Sequence, residues 1–167
     1  NGVVFLPYLT GGTGSFKKAS GAFLNLTLDD DQNVMWRAVL EAIGYDYMEI
    51  TDTYRAAGVA LDRITVTEGG SRDSLWNQIK ADMLNADVVR YRTSGGAVVT
   101  NCVFAALAAG HITDVQAALE KTIVRDAEYQ PNAENTATYR RLFELKTKLV
   151  KTDLQAAYQT LADMRSK

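Results

Sequence analysis

Cysteine is nearly absent from this chain. Cys102 is the single thiol in 167 residues, so no internal disulfide can form, and a reducing, cytoplasmic compartment is the expectation. Cys102 sits in an apolar run, which predicts a buried thiol packed as a small hydrophobe. Histidine is equally scarce. His111 stands alone, and one imidazole with no thiol cluster supports neither a transition-metal site nor a Ser-His-Asp arrangement. No stretch approaches the ~20 apolar residues of a membrane span, and no secretory leader opens the chain. Charge of one sign is missing too. The net charge is -2 with a pI near 5.4, which leaves no basic footprint for nucleic acid or for a membrane surface. There is no internal repeat and no low-complexity tract. The first residue is Asn rather than Met, so a fragment or a processed chain is expected.

What is present is ordinary for a globular domain: 47% hydrophobic and 23% charged residues, in a length sufficient for one domain with a sizeable core. Residues 1–28 read as glycine-rich and irregular, with a short strand at Val3–Leu6 and a flexible loop at Gly11-Gly12-Thr13-Gly14-Ser15. That loop lacks the Gly-Lys-Ser/Thr ending of a P-loop. Asp29-Asp30-Asp31 opens a helix. The recurrence of Val34, Ala38, Ile43, Tyr47, Ile50 and Tyr54 carries it at helical period toward Gly58, and Gly44 inside it marks close packing.

The most informative segment runs from Ile64 to Leu84. β-Branched residues through Thr67 give a strand, Gly69-Gly70-Ser71 a turn, and Asp73 to Leu84 an amphipathic helix. Bare glycine backbone beside a helix start makes a corner that a phosphate can approach. Trp76 shares a helical face with Ile79, Lys80 and Met83, which assigns Trp76 to the core. Asp82 reads as structural. Asp87–Tyr91 is the next strand. Ala97–Ala109 is a helix of small apolar residues, expected to lie buried against a sheet, and Gly110 closes it. Thr113-Asp114 starts another helix, Pro131–Asn135 is a turn, and two helices follow at roughly 136–150 and 152–165. Tyr129, Tyr139, Phe143 and Tyr158 are expected to pack this tail. Its basic residues Arg140, Arg141, Lys146, Lys148 and Lys151 alternate with acids and read as a solvated face. Strand–helix alternation with a helical tail gives an α/β class.

Three ordered patches carry a resemblance. Glu68 to Val88 is similar to a run of the form G-G-G-A-K-S-P-L-W-x-Q-I-x-A-D-V-L-G-x-P-V, agreeing at Gly69, Gly70, Leu75, Trp76, Gln78, Ile79, Ala81, Asp82, Leu84 and Val88. Phe5-Leu6-Pro7-Tyr8-Leu9 with Gly21-Ala22-Phe23 and Leu26 resembles F-x-P-Y-L…G-x-F-x-G-L. Arg37-Ala38-Val39-Leu40-Glu41-Ala42-Ile43 resembles an R-A-x-x-E-G-I/V helix. All three belong to the FGGY carbohydrate kinases, in the xylulose-kinase-like branch.

The resemblance implies a ribonuclease-H-like (actin-like ATPase) fold: a helix-rich, incomplete second domain of a two-domain sugar kinase, spanning residues 1–167, with the first domain and the opening strands outside the chain. It also implies ATP with Mg²⁺, a sugar such as a pentulose held jointly with the other domain, and a catalytic base that lies outside this chain. Homodimer formation is left open. By position, Gly69, Gly70, Ser71 and Asp73 would meet the nucleotide. Asp73 has two open readings, acceptor for the adenine amino group or plain helix cap. Three departures bear on this. Glu68 replaces a glycine beside the phosphates, a Gly/Thr/Ser loop replaces Gly-Glu-Arg-x-Pro after Leu9, and Thr100 and Asn101 replace small residues. They leave a second reading, a non-catalytic interaction module on the same scaffold.

Overall fold

The computed structural model describes residues 2–67, 69–92 and 96–165, without side-chain detail at Ser15, Gly96 and Thr122. Strand β1 (Val4–Leu6) pairs antiparallel with β2 (Ala22–Leu24), Phe5 opposite Phe23. The two rings stack at 4.4 Å between centroids. Helix α1 (Gln32–Ala56) follows, capped by Asp31, whose carboxylate accepts from the N–H groups of Asn33 and Val34. It ends at Ala57, and Gly58 takes the left-handed φ of +83° that a helix stop favours.

The central unit is β3 (Arg63–Val66), α2 (Ser74–Leu84) and β4 (Asp87–Tyr91), with β3 and β4 parallel. Helix α3 (Gly96–Ala108) and α4 (Val115–Thr122) lead to β5 (Arg125–Tyr129), which pairs antiparallel with β4. The sheet order is β3-β4-β5, so β3 is an edge. Helix α5 (Ala133–Lys148), a π-helical turn at Leu149–Asp153 and α6 (Gln155–Arg165) finish the described chain.

The main core lies between α1, α2 and α5. Leu40, Tyr45, Met48, Trp76, Ile79, Met83, Leu84 and Tyr139 form it. Gly44 is the point of closest approach between α1 and α2, since a Cβ there would press into Met83 Sδ and face the Trp76 ring. A bulky residue would force the two helices apart. Gly44→Leu is expected to destabilise the domain by about 2–3 kcal/mol, read as a lower denaturant midpoint with an unchanged m-value.

A polar triangle closes the same interface. Tyr139 Oη donates to Glu41 Oε1 at 2.8 Å, Arg37 Nε donates to the same oxygen at 2.8 Å, and Arg37 Nη2 donates to Tyr139 Oη at 2.9 Å. The Arg37…Glu41 pair of the third sequence patch is therefore a tie between α1 and α5. Burial, with the Glu41 charge beside it, pushes the Tyr139 hydroxyl well above its ordinary range.

Several expectations need correction. Strands β2 and β5 were not legible: β2 is three residues long, and β5 reads Arg-Asp-Ala-Glu-Tyr, a polar edge strand without β-branched residues. Helix α1 buries Ala38, Ala42, Tyr45 and Met48, whereas Ile43, Tyr47, Ile50 and Tyr54 of the expected stripe are exposed. Helix α3 is not buried. Val98, Phe104 and Leu107 are exposed, Val103 alone of its described apolar side chains falls in the buried class, and Cys102 is exposed. Small apolar composition suits burial, but the principal packing partner of α3 is α4, which covers one side. Helix α5 begins at Ala133, inside the expected turn, because the Asn132 side chain caps it by accepting from the N–H groups of Glu134 and Asn135. Lys146 leaves the solvated face and is buried, 3.5 Å from Asp46 and over the Tyr8 ring. Arg140 and Lys151 remain partly exposed, paired with Asp52 and Glu49. Tyr139 and Tyr158 are core residues, as the tail aromatics were expected to be.

Candidate functional site

In an open α/β sheet the ligand-facing end is where parallel strands finish and their following helices begin. Here that end is the corner Gly69–Ser71, a single 3₁₀ turn between Val66 of β3 and the start of α2. Three of the residues assigned to the nucleotide, Gly69, Gly70 and Ser71, form the turn, and Asp73 is the N-cap of α2. Glu68 lies outside the described residues, as do Thr93 to Gly95 before α3.

The two glycines are not explained by packing. A Cβ at Gly69 would meet no described atom within 4 Å, and one at Gly70 only Trp76 Nε1 at 3.9 Å. Gly70 also lacks the left-handed backbone that favours glycine. The corner is therefore open on its outer side, where an added side chain would stand in the path of an approaching ligand.

Its inner side is tied down. The Gly70 carbonyl accepts from Lys80 Nζ at 3.2 Å, and the Ser71 carbonyl accepts from Asn77 Nδ2 at 2.7 Å. The Arg72 carbonyl accepts from Arg90 Nη1 at 3.3 Å, and that donor also reaches Ser71 O at 3.4 Å. Arg90 Nη2 pairs with Asp126 on β5 at 2.5 Å. Asn77 is completely buried and Ser71 and Lys80 nearly so. Lys80 Nζ also donates to Asn77 Oδ1 at 3.2 Å and stands 4.7 Å over the Trp76 ring. Burial, against the opposing pull of the Asp73 charge, pushes its amine down from 10.5 to about 8. Sequence reasoning gave Asn77 and Arg90 no role. The available signal was Lys80, a cation on the helical face assigned to the core.

Asp73 acts as a cap: Oδ1 accepts from the Trp76 N–H at 3.0 Å. Trp76 is buried, stacked on Tyr47 at 6.3 Å. Asp82 is a structural hub. Oδ1 accepts from Gln78 Nε2 and from the Asn132 N–H, Oδ2 from Asn135 Nδ2, and its carbonyl from Thr136 Oγ1, all at 2.8 Å. A cleft of about 480 Å³ runs beside the corner along β3, lined by Thr65, Thr67, Gly70, Trp76 and Lys80 together with Tyr47 and Ile50 of α1. Among the described residues no group of three or more His, Cys, Asp or Glu side chains could hold a metal ion. No described helix is long and apolar enough to cross a membrane.

Fold and corner together define a helix-rich α/β domain with an accessible glycine turn at the end of a parallel strand. Residues 1–109 match the C-terminal domain of the FGGY family of carbohydrate kinases, and the chain belongs to that family. It is 32% identical over 161 residues to the xylulose kinase of Escherichia coli (strain K12), covering 85% of this chain and 31% of that protein. It is 26% identical over 147 residues to the xylulose kinase of Bacillus subtilis (strain 168), covering 87% and 30%. The gluconate kinase structure from Lactobacillus acidophilus superposes with a TM-score of 0.72 at 25% identity, over 96% of this chain and 32% of that one. The chain thus spans about a third of the length of these relatives.

Proposed function

We propose that this chain is the nucleotide-facing part of a kinase that transfers the γ-phosphoryl group of ATP to a hydroxyl of a pentulose such as xylulose. The observation that carries the reading is the glycine corner, open outward and tied inward at the end of β3. The names of the relatives support the substrate class.

Phosphoryl transfer needs little covalent help from the protein. It needs the nucleotide held in line with the acceptor and the developing charge stabilised. In this reading Gly69 and Gly70 let the nucleotide reach the backbone, and Ser71, turned inward and nearly buried, fixes the turn. Asp73 fixes the start of α2, and its position beside the corner suits an acceptor for the adenine amino group. Mg²⁺ arrives with ATP as part of the substrate. The base that takes the sugar proton and most sugar contacts belong to another part of the enzyme, so this chain alone is expected to bind nucleotide weakly and to phosphorylate nothing.

The test is calorimetric titration of the complete kinase with MgATP, in the presence and absence of D-xylulose, with product formation followed alongside. Saturable MgATP binding with xylulose-dependent ADP release is the expected result. A well-folded protein that binds no MgATP under either condition would replace this reading with that of an interaction module. Turnover with gluconate but not with xylulose would keep the kinase and change the acceptor.

A further inference from the structure

We propose that Lys80, Asn77 and Arg90 form a brace behind the glycine corner that positions its backbone for the nucleotide without touching it. The inference rests on the kinase reading above. Three consecutive carbonyls, of Gly70, Ser71 and Arg72, accept from these three side chains. A trans peptide unit is planar, so its N–H points opposite to its C=O. Fixing those carbonyls inward therefore sets the direction of the following N–H groups; that of Arg72 closes the turn by donating to the Gly69 carbonyl at 3.2 Å, and those of Ser71 and Asp73 flank it. The donors come from two elements, α2 and β4, and Arg90 is itself held by Asp126 on β5. The corner is thus referenced to the sheet as well as to its own helix.

Lys80 has a poor structural rationale. It is 6% exposed and has no carboxylate within ion-pair distance among the described residues. Its charge rests on two oxygens and an indole face. Burial of that charge lowers the folded-state value to about 8. The unfolded state therefore holds this proton more tightly between about pH 8 and the ordinary lysine value. Stability rises with pH through that window, and the destabilisation is full at neutral pH. The side chain is buried with its amine over the Trp76 ring, itself a member of the main core. The charge acting on it is that of Asp73 at the start of α2, Tyr47 from α1 lines the same cleft, and the described cleft brings no other charge against it; Arg90 lies on the Ser71 and Arg72 carbonyls instead. Glu68 precedes the corner outside the described residues. A buried cation that destabilises its own helix face, while holding the backbone of the candidate site, is explained by the site.

The experiment compares wild type, Lys80→Met and Lys80→Gln in the complete kinase, measuring melting temperature, kcat, KM for MgATP and KM for the sugar from pH 6.5 to 9.5. At pH 7 Lys80→Met is expected to melt at or above the wild-type temperature while KM for MgATP rises roughly tenfold. Sugar KM and kcat should stay within about twofold. In the wild type, KM for MgATP should climb as pH passes through about 8, and both variants should lose that climb. Lys80→Gln, which keeps a donor for the Gly70 carbonyl, should retain part of the affinity. A lower melting temperature with unchanged KM for MgATP in both variants would make Lys80 a structural residue and overturn the brace alone. Absence of MgATP binding by the wild type would overturn the kinase reading and the brace with it.

Discussion

Gly70→Asp in the complete kinase is expected to raise KM for MgATP roughly a hundredfold and to move the melting temperature by no more than about 2 °C. The two halves of that expectation have separate causes. The fold tolerates the side chain because its Cβ meets only Trp76 Nε1, at 3.9 Å, and the backbone is not left-handed. On the proposed reading the nucleotide does not tolerate it, because a carboxylate would then stand where the phosphates approach bare backbone, and like charges at close range repel strongly in a partly desolvated cleft. Lys80 does not cancel the added charge, since its ammonium is turned inward to the Gly70 carbonyl. Steady-state kinetics and differential scanning fluorimetry on the same preparation decide the matter. A normal KM in a folded Gly70→Asp variant would remove the corner from the nucleotide site. A collapse in melting temperature would show that the corner is needed for packing instead.

Asp82→Ala carries the largest expected effect on stability, about 3–4 kcal/mol from its stranded neutral donors, a fall in melting temperature of roughly 10 °C for a chain of this size. The Asp82 carboxylate is 2% exposed and accepts from Gln78, the Asn132 backbone and Asn135. Removing it strands the Asn132 N–H and the Asn135 amide at the junction of α2 with α5, whereas Gln78 keeps the Gln130 carbonyl at 2.9 Å. It also loosens Asn132, the residue whose side chain caps α5. Leaving buried partners unsatisfied is more damaging than losing the bonds themselves. Urea unfolding of Asp82→Ala and of Asn135→Ala would show both destabilised, the second less so. An Asp82→Ala protein of normal stability but no activity would mean that the carboxylate acts on a ligand, contrary to its place in the fold.

The Trp-x-Gln-x-x-Ala-Asp run and the glycine turn before it show how the sequence carried the fold and the candidate corner. The run's helical period puts Trp76 and Ile79 on the buried face, and the Gly69-Gly70 turn before it marks the corner, because both signals are local. The run alone reads Asp82 as structural, and its bonds to Asn132 and Asn135 agree. The brace was not legible, since the partners of the corner carbonyls depend on which atoms α2 and β4 bring within 3.5 Å, and spacing does not encode that. Helix α1 misled because it has two apolar stripes, and periodicity cannot choose between them. The stripe ending in Tyr54 is longer and more aromatic, yet the one through Gly44 faces the core, because the glycine lets α2 come close. Helix α3 misled for the opposite reason: composition reports what a helix tolerates, not what covers it.

Helix α2 is fastened at both ends, by the brace on the glycine corner at its start and by the Asp82 hub toward its finish. Its eleven residues make a rod about 16 Å long, stiff along its axis and buried for most of its length. In mechanical terms it is a pushrod with a bearing at each end. The near bearing is also anchored to the sheet through Arg90, and the far bearing is the capped start of α5. The glycine corner and the capped start of α5 are thereby joined through one rigid element.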